Sequence, residues 1–314
     1  MAFAHPELRG RPVLVTGAAG FVGARLVRAL RESGAEVHAL VRPGGGPERL
    51  SELAGARVHE GDLADGAAIE RLIAGLRPEL AVHAAFPFGH PASGDARQRM
   101  LRDGVLGTFH LLEALGGART ARLVHFGSTL EFGPRAARIG EEEALRPSTW
   151  RGAAKAASTL ICRQAARTFG IELVVLRPFS VYGPGEHACR LLPTLIRAAL
   201  TGTEVALVPG PRHDFVYVDD VAEAALAALL EPAARGQDFN LGTGVERRNE
   251  EVAALVEETC GVKLKLRLDH RGSPADAEHW VADVQKSERL LGWRARTELR
   301  EGLRATVEWF RARD

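Results

Sequence analysis

The stretch Pro12-Val13-Leu14-Val15-Thr16-Gly17-Ala18-Ala19-Gly20-Phe21-Val22-Gly23 decides how the rest of the chain is read. Its first five residues form a short apolar run rich in β-branched side chains, the pattern of a buried strand. The run leads directly into three glycines spaced by three. Gly17 permits a tight turn, Gly20 lets backbone approach a pyrophosphate, and Gly23 lets the next helix pack close to the strand. A helix predicted over Phe21–Glu32 would turn its free N–H groups and positive dipole end toward that pyrophosphate. Glycines at this spacing, inside a strand–turn–helix unit, read as a dinucleotide site rather than a plain turn.

Working outward, further strands are predicted at Glu36–Val41, Ala56–His59, Leu80–Ala84, Arg122–Phe126 and Ile171–Leu176. Helical spacing of apolar residues falls between them, at Ala67–Leu76, Gln98–Leu115 and Lys155–Phe169. Strands that alternate with helices imply parallel βαβ units, because parallel neighbours need a crossover. The expected fold class is therefore α/β, a doubly wound parallel (Rossmann) sheet with a smaller C-terminal substrate-binding lobe. After Arg177 the rhythm loosens, with helices at Leu191–Leu200, Asp219–Leu230, Glu250–Cys260 and Leu299–Arg311 and short extended pieces between them. The expected division gives residues 1–178 and 214–243 to the dinucleotide domain, and 179–213 and 244–314 to the lobe.

The 314 residues carry 46% hydrophobic and 26% charged side chains, a globular composition that excludes a disordered chain. Basic and acidic residues nearly cancel, 41 against 40, so no global field draws nucleic acid or an anionic membrane. No apolar run approaches a membrane span, and Met1 to Pro12 hold no signal-peptide core. Cys162, Cys189 and Cys260 are scattered and odd in number, with no metal spacing. Reduced thiols and a cytoplasmic location are expected, and no metal.

The end of the second strand bears on which dinucleotide fits. A site for NAD(H) usually places a carboxylate there for the ribose hydroxyls. Here Val37-His38-Ala39-Leu40-Val41 is followed by Arg42, which can donate to a 2′-phosphate. The sequence thus favours NADP(H) over NAD(H).

Taken together the chain resembles the extended short-chain dehydrogenase/reductase family, the group of sugar-nucleotide epimerases, dehydratases and reductases. The resemblance rests on Thr16–Gly23, Gly61-Asp62-Leu63, His83-Ala84-Ala85, Gly107-Thr108, Leu111-Leu112-Glu113, Ser128–Gly133 and Lys155. It continues through Leu176-Arg177-Pro178, Val181-Tyr182-Gly183-Pro184-Gly185, Asp214–Val221, Asn240–Gly244 and Leu291-Gly292-Trp293. It implies cofactor contacts from Gly17, Gly20, Phe21, Val22, Arg42, Asp62, Leu63, Ala84, Ala85, Lys155 and Pro178. It also implies a homodimer through the helices predicted over Gln98–Leu115 and Lys155–Phe169, and a small-molecule substrate such as a nucleotide sugar.

In such enzymes a Tyr exchanges a proton with the substrate oxygen, a Lys four residues later binds the nicotinamide ribose, and a Ser orients the same oxygen. Ser128 and Lys155 match the Ser and Lys. The Tyr is missing: Arg151 stands four residues before Lys155, and neither Tyr182 nor Tyr217 has a Lys four residues on. Arginine stays protonated at neutral pH and cannot shuttle the proton, but it can hold an anion or a carbonyl. The catalytic set implied is Ser128, Lys155 and Arg151, with water, Tyr182 or Glu131 as the proton source. Glu131 reads more readily as a solvated loop carboxylate.

Thr129 and Leu130 replace the Asp-Glu pair of sugar-nucleotide dehydratases, and Gly104 replaces a frequent Asn. Thr129, Tyr182, His213 and Arg271 are the implied substrate contacts. The expected function is an NADP-dependent oxidoreductase or epimerase acting on a nucleotide-linked sugar or natural-product intermediate. A catalytically silent NADP-binding protein, or a non-redox lyase or isomerase on the same fold, remain as alternatives at this point.

Overall fold

A computed structural model describes residues 3–44, 52–89, 91–133, 135, 137–269 and 279–313. The strands are β1 (Pro12–Thr16), β2 (Glu36–Val41), β3 (Arg57–Glu60), β4 (Leu80–His83), β5 (Arg122–Phe126), β6 (Glu172–Pro178), β7 (Ser180–Tyr182), β8 (Glu204–Leu207), β9 (Arg212–Tyr217), β10 (Asp238–Leu241), β11 (Glu246–Arg248), β12 (Lys265–Leu268) and β13 (His279–Trp280). The helices are α1 (Phe21–Glu32), α2 (Gly66–Leu76), α3 (Gly94–Met100), α4 (Gly107–Gly117), α5 (Trp150–Phe169), α6 (Leu191–Thr201), α7 (Val218–Leu230), α8 (Asn249–Cys260), α9 (Gln285–Leu291) and α10 (Leu299–Arg311).

Seven parallel strands form the main sheet in the order β10-β6-β5-β4-β1-β2-β3. This is the expected doubly wound α/β fold. Period-2 alternation sorts its side chains onto two faces. Val13, Val15, Ala39, Val82, Val124 and Val174 pack with α1 and α7. Leu14, Leu40, Ala81, Leu123, Leu173 and Val175 point the other way, toward α2, α4 and α5. Strand order reverses between β1 and β4, and ligands of such sheets bind at the carboxyl ends of the strands flanking that point.

A second core joins α6, α8 and α10 through Leu195, Ile196, Val252, Val256, Leu303 and Val307. Above it lie β9, its neighbours β7, β11 and β13, and the pair β8–β12. Residues 214–217 lie in β9 of the smaller sheet, yet Val216 packs into the main core, which Leu291 and Trp293 also reach. Local spacing cannot assign a segment to one of two adjacent cores, because both bury the same residue types.

The helix expected over Gln98–Leu115 is broken into α3, a wide π-helical segment at Leu101–Leu106, and α4. Gly104 lies in that segment, where a Cβ would come within 2.7 Å of the Phe86 ring. Its carbonyl accepts from Thr108 Oγ1 at 2.5 Å and Ser158 Oγ at 3.3 Å. Helix α5 starts earlier than expected because Thr149 Oγ1 caps it, accepting from Gly152 N at 3.0 Å. Among the described residues, no helix is long and apolar enough to cross a membrane.

Candidate active site

The glycine loop leaves β1 at the switch point. Gly17 adopts φ +69, and a Cβ there would lie 2.7 Å from the backbone of Ala85. A Cβ at Gly23 would lie 2.0 Å from the Gly17 carbonyl oxygen. The turn can therefore close only on glycine. A cavity of about 240 Å³ opens there, lined by Gly17, Gly20, Arg42, Asp62, Leu63, Ala84, Ala85 and Asp103 among others. Most of the expected cofactor contacts thus meet in one place. Phe21 and Val22 open α1 on the same loop, Pro178 ends β6, and Lys155 reaches the end of β5. A cradle that any Cβ would fill, facing a helix N-terminus, fits a dinucleotide pyrophosphate.

The end of this cavity beside β2 contains a carboxylate that strand reading could not supply. Asp103, in the π-helical segment, has a side chain only 7% exposed and accepts from Arg102 Nε at 2.7 Å. Its other oxygen lies 3.5 Å from Arg42 Nη2. Arg42 is therefore already paired.

Beyond the end of β5, Ser128 Oγ accepts from Leu130 N at 3.2 Å, and Ser128 N donates to Glu131 Oε1 at 2.8 Å. Thr129 is buried beside it. Lys155 is buried and donates to the Phe126 carbonyl at 2.6 Å, with Nζ 4.3 Å from the Phe86 ring centroid. Burial, and then the neighbouring Arg151 cation, push the Lys155 amine down to about 7. Arg151 donates to the carbonyls of Pro87 and Gly89 and lies over the rings of Phe86 and Phe88. Burial and then Arg190 lower its guanidinium to about 10. Ser128, Lys155 and Arg151 are thus brought to one edge of the sheet, with the 86–89 loop between Arg151 and the cavity.

Two expectations change. Glu131 is neither solvated nor available as an acid: it is fully buried and accepts from Arg177 Nε at 2.9 Å, Thr159 Oγ1 at 3.0 Å and Ser128 N. Tyr182 does not reach the site. It is 1% exposed in the lobe core, edge-on to Phe215 and Tyr217, and its hydroxyl faces the Leu299 carbonyl. Burial raises both phenols, Tyr217 to about 12. His213 lies half-buried in β9 with its ring against Phe215. Arg271 lies outside the described residues.

One residue of this region carried no signal in the sequence. Glu186, just past the Gly183-Pro184-Gly185 turn, has a side chain 6% exposed, with Oε1 3.5 Å from Arg190 Nε. Its Oε2 is buried without a partner among the described residues. Burial pushes this carboxyl up to about 8. No cluster of metal-ligating side chains occurs among the described residues.

Fold and site together define a dinucleotide-binding oxidoreductase architecture of the short-chain dehydrogenase/reductase kind. Family comparison narrows it: the NAD dependent epimerase/dehydratase family matches residues 13–242, and the chain belongs to that family as an extended short-chain dehydrogenase/reductase enzyme. It is 31% identical to a dTDP-glucose 4,6-dehydratase of Streptomyces niveus, over 95% of this chain and 92% of that one. Its fold is similar to the UDP-glucose 4-epimerase of Thermotoga maritima with UDP-glucose, at TM-score 0.89 and 28% identity, covering 96% and 98% of the two chains. It is also similar to MoeE5 in complex with UDP-glucuronic acid and NAD, at TM-score 0.87 and 31% identity, covering 96% and 99%.

Proposed function

We propose that this enzyme epimerises, or reduces a ketone of, a nucleotide-linked sugar using a nicotinamide dinucleotide, with Arg151 in the place of the usual phenol. The observation that carries this reading is the joint placement of Ser128 and Lys155 at the end of β5, beside a loop that only a dinucleotide-type cradle of glycines can form. A silent binding protein has no need of a buried amine there at about 7. The nicotinamide accepts and returns a hydride at a sugar carbon when bound. Lys155 would hold ribose hydroxyls, Ser128 would orient the substrate oxygen, and Arg151 would fix the 86–89 loop against the ligand. The resemblance to UDP-sugar and dTDP-sugar enzymes supports a nucleotide diphosphate on the substrate.

Dehydration is disfavoured. Thr129 and Leu130 offer no acid–base pair, and the adjacent Glu131 is consumed by Arg177. For the cofactor, the Arg42–Asp103 pairing supports NAD(H) over the NADP(H) that Arg42 alone suggested, because a 2′-phosphate would meet the Asp103 carboxylate. The NAD named in the structure of MoeE5 agrees. An apolar groove lined by Leu101, Val105, Leu106, Phe109 and Ile161 on the π-segment, α4 and α5 supports a homodimer through these helices. The three free cysteines suit a reducing cytoplasm.

The test is to give the protein NAD⁺ with UDP-glucose and with dTDP-glucose and to follow the sugar ring by NMR. Inversion of a ring hydroxyl supports epimerisation. Loss of a hydroxyl as water refutes it in favour of dehydration.

A further inference from the structure

The absent phenol leaves an unanswered chemical question: which group exchanges the proton. The side chains nearest in chemistry are otherwise committed. Both tyrosines lie in the lobe core, Glu131 is committed to three donors, and Lys155 is bonded to the Phe126 carbonyl. Arg151 keeps its charge well above neutral pH.

Glu186 occupies different ground. Its N–H donates to the Gly183 carbonyl at 3.1 Å, closing the turn after β7. Gly185, at φ +85, lays that turn against Phe21, the first residue of the glycine-loop helix, leaving 3.9 Å for a Cβ. The next residue, His187, stacks on Phe88 with centroids 4.2 Å apart and planes at 20°. Phe88 in turn lies under the Arg151 guanidinium at 5.7 Å. The turn that carries Glu186 therefore runs between Phe21 of the glycine-loop helix and Phe88 of the loop that Arg151 fixes. One of its oxygens faces Arg190 and the other is buried with no donor. Such an orphan oxygen is costly unless a ligand hydroxyl donates to it or, when protonated, it donates to a ligand carbonyl.

Resting on the oxidoreductive reading above, we infer that Glu186 is the proton-exchanging catalytic residue that stands in for the missing tyrosine. During oxidation, the substrate O–H bond breaks and its proton passes to the Glu186 carboxylate. The C–H bond at the same carbon breaks with its electron pair going to the oxidised nicotinamide as hydride. During reduction, hydride returns to the carbonyl carbon and the Glu186 carboxyl gives its proton to the oxygen. Return of hydride to the opposite face inverts the carbon. Arg190 is the charged group that acts on Glu186 among the described residues, and it does not offset the effect of burial. The carboxyl and carboxylate forms are both populated near pH 8, which suits a group working in both directions.

The experiment uses Glu186→Gln, which keeps shape and removes the titration. Infrared difference spectra of the protein without substrate, recorded across pH, should show a protonated-carboxyl band lost with a midpoint near 8, and Glu186→Gln should lack that band. With NAD⁺ and a nucleotide sugar, single-turnover hydride transfer should slow by about 100-fold or more in Glu186→Gln, while sugar binding changes by less than about twofold. The proposal is overturned by a carboxyl that titrates in the ordinary carboxylate range. It is equally overturned by a Gln variant of near-normal rate. Hydride transfer absent from the unaltered protein would refute the oxidoreductive reading, and this inference with it. The infrared titration keeps that failure distinct from a failure of Glu186 alone.

Discussion

Replacing Asp103 by Asn tests the charge balance at the end of the cavity beside β2. Asp103 accepts from Arg102 and lies 3.5 Å from Arg42, whose side chain is 57% exposed. The substitution removes one negative charge beside the 2′ position and frees two guanidinium groups. A pair of unit charges ~4 Å apart is worth about 1 kcal/mol in water and about 4 kcal/mol at an effective dielectric of 20. The exposure of Arg42 puts this site near the watery limit, so NADP⁺ should gain about 1–2 kcal/mol relative to NAD⁺, roughly a five- to thirty-fold change in the affinity ratio. Calorimetric titration of both dinucleotides into Asp103→Asn and the unaltered protein measures it. The gain should shrink as salt rises. An unchanged ratio, or tighter NADP⁺ binding by the unaltered protein, would refute the reasoning.

Other substitutions probe the rest of the structure. Gly17→Ala would force a Cβ into the Ala85 backbone at positive φ, and dinucleotide affinity should fall at least about tenfold while the circular dichroism of the fold survives. Glu131→Gln strips Arg177 of a buried partner, and urea unfolding should report a loss of about 3 kcal/mol. Because the folded Glu186 carboxyl sits at about 8 rather than 4.5, the folded chain keeps a proton that the unfolded chain has lost between those values. Its contribution is present below pH 4.5 and drains away as pH rises to 8, so Glu186→Gln should be the more stable protein above that pH, by an amount on the order of 5 kcal/mol. Arg151→Tyr placed in the Glu186→Gln background sets a phenol four residues before Lys155 and should restore part of the lost hydride transfer.

The main sheet was legible because its signals are local: a β-branched run, three glycines and a helical stripe are all read within a few turns of chain. Lys155 and Ser128 were legible for the same reason, each standing in a short motif. Asp103, Glu131 and Glu186 were not. Asp103 meets Arg42 from a π-helical segment that the helical spacing did not foretell. Glu131 looks like a loop acid until β6 brings Arg177 beneath it. Glu186 forms an i,i+4 pair with Arg190, a spacing that gives no sign of its burial. Tyr182 shows the converse, a motif residue whose ring belongs to the lobe core. Each case depends on contacts between distant segments, which spacing along the chain does not encode.

The most direct test of the central claim is a single-turnover experiment with NAD⁺-loaded protein and a nucleotide sugar, followed by the near-ultraviolet absorbance of reduced nicotinamide. The band should rise, and Lys155→Met should abolish the rise. No reduced nicotinamide with any UDP- or dTDP-linked sugar, in protein that binds the dinucleotide, would contradict it.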